Sequence, residues 1–293
     1  MPRPGFVSYA IVMRLLTMSI VWLSLLIWFL NAYRAGCVTA LAVLALLGLV
    51  LLAAGMEKSL LRRRALFQEC MAEQDRLFDL FHNRLVMTLY RATSALFLGL
   101  ILLASALTFE PRQWSILFVD VLLMALLLPR LARSMGEQVH DEYRYALARQ
   151  WGMWFSVALL WGEAIMVLTL SPPENYLGQR WQEVVTYGVS QSDVLCPQVA
   201  DLTNVLAAAQ ALAMWAVQNA SLVLNDPTQA VMVWVGFVSL FGLTFLVAWA
   251  FSQALIGVMA RPWEVWSLSA MPAPMRNPAL PAGRKSDAKQ DHA

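Results

Sequence analysis

Two acidic side chains interrupt long apolar runs, and they are the residues of this sequence best able to do chemistry. Asp120 stands within "ILFVDVLLMALLLPR" and Glu163 within "MWFSVALLWGEAIMVLTL". An acid at the centre of a membrane helix costs about 2.5 to 3.5 kcal/mol, so each should face protein or water and not lipid. Asp120 is six residues inward from Trp114, and Glu163 is seven residues inward from Leu170. At about 1.5 Å per residue, both acids are predicted to lie roughly 9 to 10 Å below one membrane boundary.

Three roles for these two acids fit the sequence. If their helices are antiparallel neighbours, the carboxyls could share one proton and bind a cation or relay protons, since close carboxyls do not both ionise. Each acid could instead be protonated and hydrogen-bonded to Ser, Thr, Trp or backbone between helices. In the third role, each acid pairs with a cationic or polar residue of a partner protein. We favour the second and third roles, because the spans lack the His residues, polar stripes and paired Gly or Pro breaks typical of transporters.

The composition predicts where these acids are located. With 59% apolar and only 14% charged residues, the chain is too hydrophobic for an ordinary water-soluble domain. Crossing a hydrocarbon core takes about 20 helical residues. Six apolar runs approach that length, at 9–30, 37–55, 92–109, 114–128, 151–170 and 231–251. Their hydrophobicity is continuous and does not alternate, which predicts an all-α, polytopic integral membrane bundle with six transmembrane helices.

The basic residues predict how these spans are threaded. If the amino terminus is cytoplasmic, 18 of the 21 Lys and Arg residues lie on the cytoplasmic side, and only Arg34, Arg112 and Arg180 lie outside. This asymmetry follows the positive-inside rule. It places both termini in the cytoplasm and is typical of a bacterial inner-membrane protein.

The segment 205–224 allows a rival threading with a seventh span. That span would move the basic tail outside and leave 13 basic residues inside against 8 outside. Four amides are scattered around this helix: Asn204, Gln210, Gln218 and Asn219. We therefore predict that 171–228 is an outer loop, and that its helix lies on the membrane surface or against the bundle.

Two cytoplasmic segments, 57–87 and 130–150, are predicted to be helical arms that extend their spans. Apolar residues recur every four positions along the second arm: Leu131, Met135, Val139, Tyr143, Leu147 and Trp151. Such a stripe must be buried, most simply against the other arm. The tail at 261–293 is rich in Pro, Ala and charge, and most of it is predicted to be disordered.

Three consecutive arginines, Arg62, Arg63 and Arg64, follow the second span on its cytoplasmic side. Each basic charge near an anionic membrane surface contributes about 1 kcal/mol, so these residues are predicted to contact lipid headgroups. Nucleic-acid binding is disfavoured, because acidic residues interleave with the basic ones and no sustained basic face forms.

The three cysteines fall on both sides of the membrane. Cys37 and Cys196 lie outside, and Cys70 lies on a cytoplasmic arm. Because the outer compartment permits oxidation, a disulfide between Cys37 and Cys196 that pins the outer loop is one alternative. Two free apolar thiols are the favoured alternative, because the sequence does not report the distance between them.

Small residues at helical spacing predict surfaces that another helix can approach closely. In the third span these are Ala95 and Gly99, and in the sixth span they are Gly236, Ser239 and Gly242. The approaching helix could belong to this chain or to another chain.

Sequence motifs of common enzymes are absent. The chain has no phosphate-binding loop, no H-E-x-x-H, no G-x-S-x-G and no C-x-x-C. Its three histidines, His82, His140 and His292, have no second His or Cys at metal-ligand spacing. We therefore expect no catalytic residues, no metal site and no cofactor.

The sequence thus predicts a six-span membrane domain at 1–260, followed by the cytoplasmic tail. The favoured function is a non-enzymatic membrane subunit or scaffold of a larger envelope assembly, of the secretion or conjugation kind. Its expected partners are the lipid bilayer and either other membrane subunits or a second copy of the chain. The alternative is a proton- or cation-coupled transporter or channel that uses Asp120 and Glu163.

Overall fold

The chain folds into helices. A computed structural model describes residues 4–32, 34, 36–69, 84–135, 141–170, 174–189, 196–223 and 227–260, and every regular element in these ranges is a helix. The eight α-helices are α1 (Pro4–Asn31), α2 (Cys37–Glu69), α3 (Arg84–Ser105), α4 (Pro111–Ser134), α5 (Asp141–Leu170), α6 (Trp181–Val189), α7 (Pro197–Val223) and α8 (Pro227–Gly257). A short 3₁₀ helix, Ala106–Thr108, follows α3.

Seven of these helices are long and apolar enough to cross a membrane by length and composition. These helices indicate an integral membrane protein, and six of them overlap the segments predicted as spans. The seventh candidate, Val199–Leu222, is the segment that the sequence favoured as an outer helix. In an 18-residue window of this helix half of the residues are buried, against 39% or fewer in the window of each other candidate, so α7 is the most buried of the seven.

Parts of the predicted arms and the whole predicted tail lie outside the described residues. This applies to 70–83, which contains Cys70 and His82, to 136–140, which contains His140, and to 261–293, which contains His292. The backbone of Arg62, Arg63 and Arg64 belongs to α2, but their side chains also lie outside the description.

Local sequence fixes where α4 begins, and hence where Asp120 lies on it. Pro111 occupies the first turn, where its missing N–H has no carbonyl to bind in any case. Glu110 and Gln113 form a capping box, in which the Gln113 side-chain oxygen accepts a hydrogen bond of 3.0 Å from the Glu110 backbone N–H. The helix then continues through Pro129 to Ser134, beyond the end of the predicted span.

The membrane helices pack mainly as antiparallel neighbours. On α2 and α3, Gly55 lies beside Arg91, and Leu44 lies beside Gly99. On α5 and α8, the Trp161 indole N–H donates to the Phe241 carbonyl at 3.2 Å, and the rings of Trp154 and Trp249 meet edge to face. In each pair, the residue numbers of the contacts rise along one helix and fall along the other, so the two helices are antiparallel.

The apolar side chains form two cores. The first core lies among α1 to α5, the start of α7 and the C-terminal half of α8. We call α1 to α5 with the C-terminal half of α8 the bundle. The second core lies at the carboxyl end of α5. Its main elements are 174–189, α7 and the N-terminal half of α8, which we call the cap. Because α8 contributes to both cores, it connects the cap to the bundle as one continuous helix.

Small residues allow several helices to approach closely, and the partner helix belongs to this chain. A Cβ on Gly99 would lie 3.2 Å from Leu44 on α2. A Cβ on Gly236 would lie 2.7 Å from the Leu212 carbonyl oxygen on α7. By contrast, a Cβ on Gly242 would meet no atom within 4 Å, so this glycine is not required for packing between the described residues.

The contrast between Gly236 and Gly242 gives a matched pair of substitutions on one helix. Gly236→Ala should force α7 and α8 apart and lower the free energy of unfolding by about 1 to 3 kcal/mol, as overpacking does. Gly242→Ala should be neutral or stabilising, because alanine is the better helix former by about 1 kcal/mol. Unfolding in mixed micelles, followed by circular dichroism, measures both. Equal stability of the two variants would contradict the close α7–α8 contact.

Candidate functional site

Asp120 lies at the meeting point of three helices of the bundle. Its Oδ2 is 2.6 Å from the hydroxyl oxygen of Ser156 on α5. That hydroxyl is 2.7 Å from the hydroxyl oxygen of Ser252 on α8, which in turn donates to the Ala248 carbonyl at 2.7 Å. Asp120, Ser156 and Ser252 are completely buried, so the acid faces protein.

A count of hydrogens along this chain of contacts indicates the charge of Asp120. The three contacts need three hydrogens, and the two serine hydroxyls supply only two. If Asp120 is ionised, Ser156 donates its hydrogen to the carboxylate. The single hydroxyl hydrogen of Ser252 must then be shared between the Ser156 oxygen and the Ala248 carbonyl. If Asp120 is protonated on Oδ2, it donates to Ser156, Ser156 donates to Ser252, and Ser252 donates to Ala248. Only the protonated form gives every contact its own hydrogen.

The second carboxyl oxygen of Asp120 supports the same assignment. Oδ1 is buried and has no hydrogen-bond partner among the described residues. An unpaired carboxylate oxygen in a dry interior is far more costly than an unpaired carbonyl oxygen of a neutral acid. The Asp120 cluster is therefore best described as an uncharged polar contact that joins α4, α5 and α8.

Glu163 lies on the same helix as Ser156 but two turns further along, about 10 Å away. It is half-buried, and its Oε1 is buried without a partner in the described part of the chain. This side chain lines a cavity of about 120 Å³ between the bundle and the cap. Asp120 does not line this cavity, so the two acids have different surroundings.

The two acids do not lie at the same level in the bundle, although the counts from the sequence placed them at equal depth. Asp120 is level with Ser156, because α4 and α5 pack in the register that joins these two side chains. The estimate from sequence counted inward from the end of each helix. The carboxyl end of α5 extends beyond the start of α4, so the two starting points are not level. The structure therefore does not bring Asp120 and Glu163 together as a pair that shares one proton.

Cys37 and Cys196 form a disulfide, with their Cα atoms 4.9 Å apart. The favoured expectation of two free thiols is thus not what the structure shows. The two residues are 159 positions apart, and they meet because the start of α7 folds back onto the start of α2. The bond attaches one end of the cap to the bundle.

Two amides near the other end of α7 hold the loop that precedes α6. Gln218 accepts a hydrogen bond from the Tyr176 backbone N–H at 2.6 Å and donates to the Glu174 carbonyl at 2.7 Å. Asn219 accepts from the Gly178 N–H at 2.8 Å and donates to the Tyr176 carbonyl at 3.0 Å. The sequence showed these amides only as scattered polar residues, and no local signal assigned them to a loop some 40 residues earlier.

An ion pair between α2 and α5 had no local signal in the sequence. Glu57 and Arg149 form this pair, and their side chains are only 6% and 15% exposed. Both residues flank apolar runs, a position that usually indicates contact with water or headgroups. Next to this pair, the Lys58 amine lies 5.4 Å from the centre of the Trp249 ring. The pair joins the ends of two predicted spans where the arms begin.

Among the described residues, no group of three His, Cys, Asp or Glu side chains is placed to hold a metal ion. The polar features of the described residues are the Asp120 cluster, the cavity lined by Glu163, the ion pair between Glu57 and Arg149, and the disulfide and amide contacts that hold α7.

The hydrogen count favours the protonated form of Asp120. Infrared spectra of the purified protein should show the carbonyl stretch of a protonated carboxylic acid, and Asp120→Asn should lower its intensity. Glu183→Gln, at an exposed acid of α6, should leave that intensity unchanged. A band of equal intensity in Asp120→Asn and in the unmodified protein would mean that Asp120 is ionised.

Comparison with known proteins found no match among family models, curated proteins or solved structures. The roles of individual residues therefore rest on the contacts described above.

Proposed function

We propose that this protein is a non-enzymatic, multi-pass subunit or scaffold of a larger assembly in the bacterial envelope, of the secretion or conjugation kind. The observation that carries the proposal is the fixed cap. A disulfide holds one end of α7, and the amides of Gln218 and Asn219 hold a loop against its other end. A rigid surface of this kind is suited to docking, because little conformational entropy is lost when a partner binds.

The Asp120 cluster is consistent with the same role. All three of its side chains bind one another or backbone, and they join three helices of one bundle. Hydrogen bonds between membrane helices contribute roughly 0.6 to 2 kcal/mol each. This arrangement stabilises a fixed bundle. The proposed partners are the lipid bilayer, headgroups at Arg62, Arg63 and Arg64, and other membrane subunits or a second copy of the chain.

We also propose six membrane crossings, with α7 outside the layer and both termini in the cytoplasm. The disulfide places the start of α7 level with the start of α2. From that level α2 runs towards the C-terminal end of α8, where Val50 contacts Gly257. In contrast, α7 runs towards the N-terminal half of α8, where Leu212 contacts Gly236. From the disulfide, α2 and α7 therefore run in opposite directions along α8. This arrangement supports the proposal that α7 lies outside the membrane layer that α2 crosses.

The unequal distribution of basic residues supports the same threading, since 18 of 21 fall on one side. The outer surface of α1 is compatible with contact to lipid. Its exposed side chains are large and apolar: Leu16, Ile20, Leu23 and Ile27.

Single-cysteine labelling tests this threading and the disulfide together. The Cys70→Ser variant should have no free thiol until a reductant is added, because its other two cysteines are bonded. In that background and in sealed spheroplasts, Glu183→Cys should react with a membrane-impermeant maleimide. Arg284→Cys should react only after permeabilisation. Labelling of Arg284→Cys from outside would establish a seventh span, and labelling of Cys70→Ser itself without reductant would exclude the disulfide.

Purification in mild detergent tests the proposed role. The chain, tagged at its carboxyl terminus, should co-purify with other subunits in a fixed ratio. Replacing both Cys37 and Cys196 with Ala should lower partner recovery several-fold, because the cap loses one of its two attachments. Cys70→Ser is the matched control and should not change recovery. A chain that purifies alone and moves solute in liposomes would contradict the scaffold role.

One observation favours the transporter alternative as a second candidate. Glu163 directs an unpaired oxygen towards a cavity, although Asp120 is already bound by serine. A transporter based on this site would use Glu163 without Asp120.

A further inference from the structure

The cavity beside Glu163 lies where the two apolar cores meet. Its walls come from the end of α3, the start of α4, the second half of α5, α7 and α8. Several of its lining side chains, including Gln113 and Ser239, are only half-buried, so the cavity communicates with the surface of the chain. A volume of about 120 Å³ is close to that of engineered cavities that accept a benzene-sized molecule.

Among the polar side chains of this cavity, three that belong to different helices have unused hydrogen-bonding capacity. They are Glu163 on α5, Gln210 on α7 and Ser239 on α8. Glu163 Oε1 is buried and unpaired. Gln210 and Ser239 make no side-chain hydrogen bond with any residue that the structure describes. Three different helices thus contribute these groups to one cavity, whereas Thr108 and Thr244 in the same lining donate to the backbone carbonyls of Ser105 and Leu240.

Most of the remaining lining is apolar and includes Leu117, Leu160, Leu168 and Phe251. Apolar walls favour a ligand with a hydrocarbon body, because burial of that body contributes about 25 cal/mol per Å². Among the described residues, no Lys or Arg forms an ion pair with Glu163 within 4 Å. The Glu163 carboxyl therefore has no fixed cationic partner in this part of the chain.

We infer that this cavity is a binding site for a small organic amine with an apolar body. The ammonium group would donate to the Glu163 carboxylate, and the Gln210 side-chain oxygen and the Ser239 hydroxyl oxygen would accept its remaining hydrogens. An ammonium group offers three donors, which matches these three acceptors. A hydrogen bond between an ammonium and a carboxylate is about twice as strong as one between neutral groups, so Glu163 determines the preference for a cation.

Calorimetric titration with benzylamine tests this site in the full chain, embedded in lipid nanodiscs with empty nanodiscs as the blank. The unmodified protein should bind one benzylamine in a saturable manner. Glu163→Gln should weaken that binding at least tenfold, because the charge-assisted contact is lost. Benzyl alcohol, which is similar in size and uncharged, should bind the unmodified protein at least tenfold more weakly than benzylamine does. Its affinity for Glu163→Gln should equal its affinity for the unmodified protein.

Two further variants separate binding in the cavity from general effects. Ala213→Leu places extra side-chain volume in the cavity and keeps Glu163, so it should abolish binding of benzylamine. Glu183→Gln removes an exposed acid of α6 outside the cavity and should leave binding unchanged. Retention of the Cys37–Cys196 disulfide in each variant reports that the cap is folded. Absence of saturable binding to the unmodified protein, or equal binding by Glu163→Gln or Ala213→Leu, would overturn the assignment.

Discussion

A polar group inside a hydrocarbon layer can bind only other protein groups, and this constraint organises the bundle. Asp120 reaches Ser156 across one helix interface, and Ser156 reaches Ser252 across the next. The indole groups follow the same rule, since Trp22 and Trp28 donate to the backbone carbonyls of Trp114 and Leu103. Each of these bonds fixes the relative height of two helices. The register of the bundle therefore depends on a small number of polar contacts within a large apolar surface.

The helices themselves could be predicted because their signals are local. Length, continuous hydrophobicity and the proline and capping residues near Pro111 lie within a few positions of the helix that they specify. Register between helices has no such signal. The sequence placed Glu163 level with Asp120, but α5 extends beyond the start of α4. Nothing within α5 reports where α4 begins.

The candidate site could be predicted in part. Asp120 and Glu163 stood out because an acid in an apolar run has a high free-energy cost, but their partners did not stand out. Ser156 and Ser252 are ordinary residues in membrane helices until the fold brings them beside Asp120. The pairs Glu57–Arg149 and Cys37–Cys196 are 92 and 159 positions apart, so each depends on long-range contacts of the whole chain.

The two attachments of α7 have a mechanical consequence. A helix anchored at a single point can swing when pushed, whereas one anchored near both termini transfers the displacement to whatever holds it. The first anchor leads into α2, and the second leads through residues 174–178 to the segment that follows α5. A force applied to α7 would therefore act on α2 and on the segment after α5, and α2 and α5 are the two helices that Glu57 and Arg149 join. The two attachments thus connect α7 mechanically to an ion pair that lies far from it along α2 and α5.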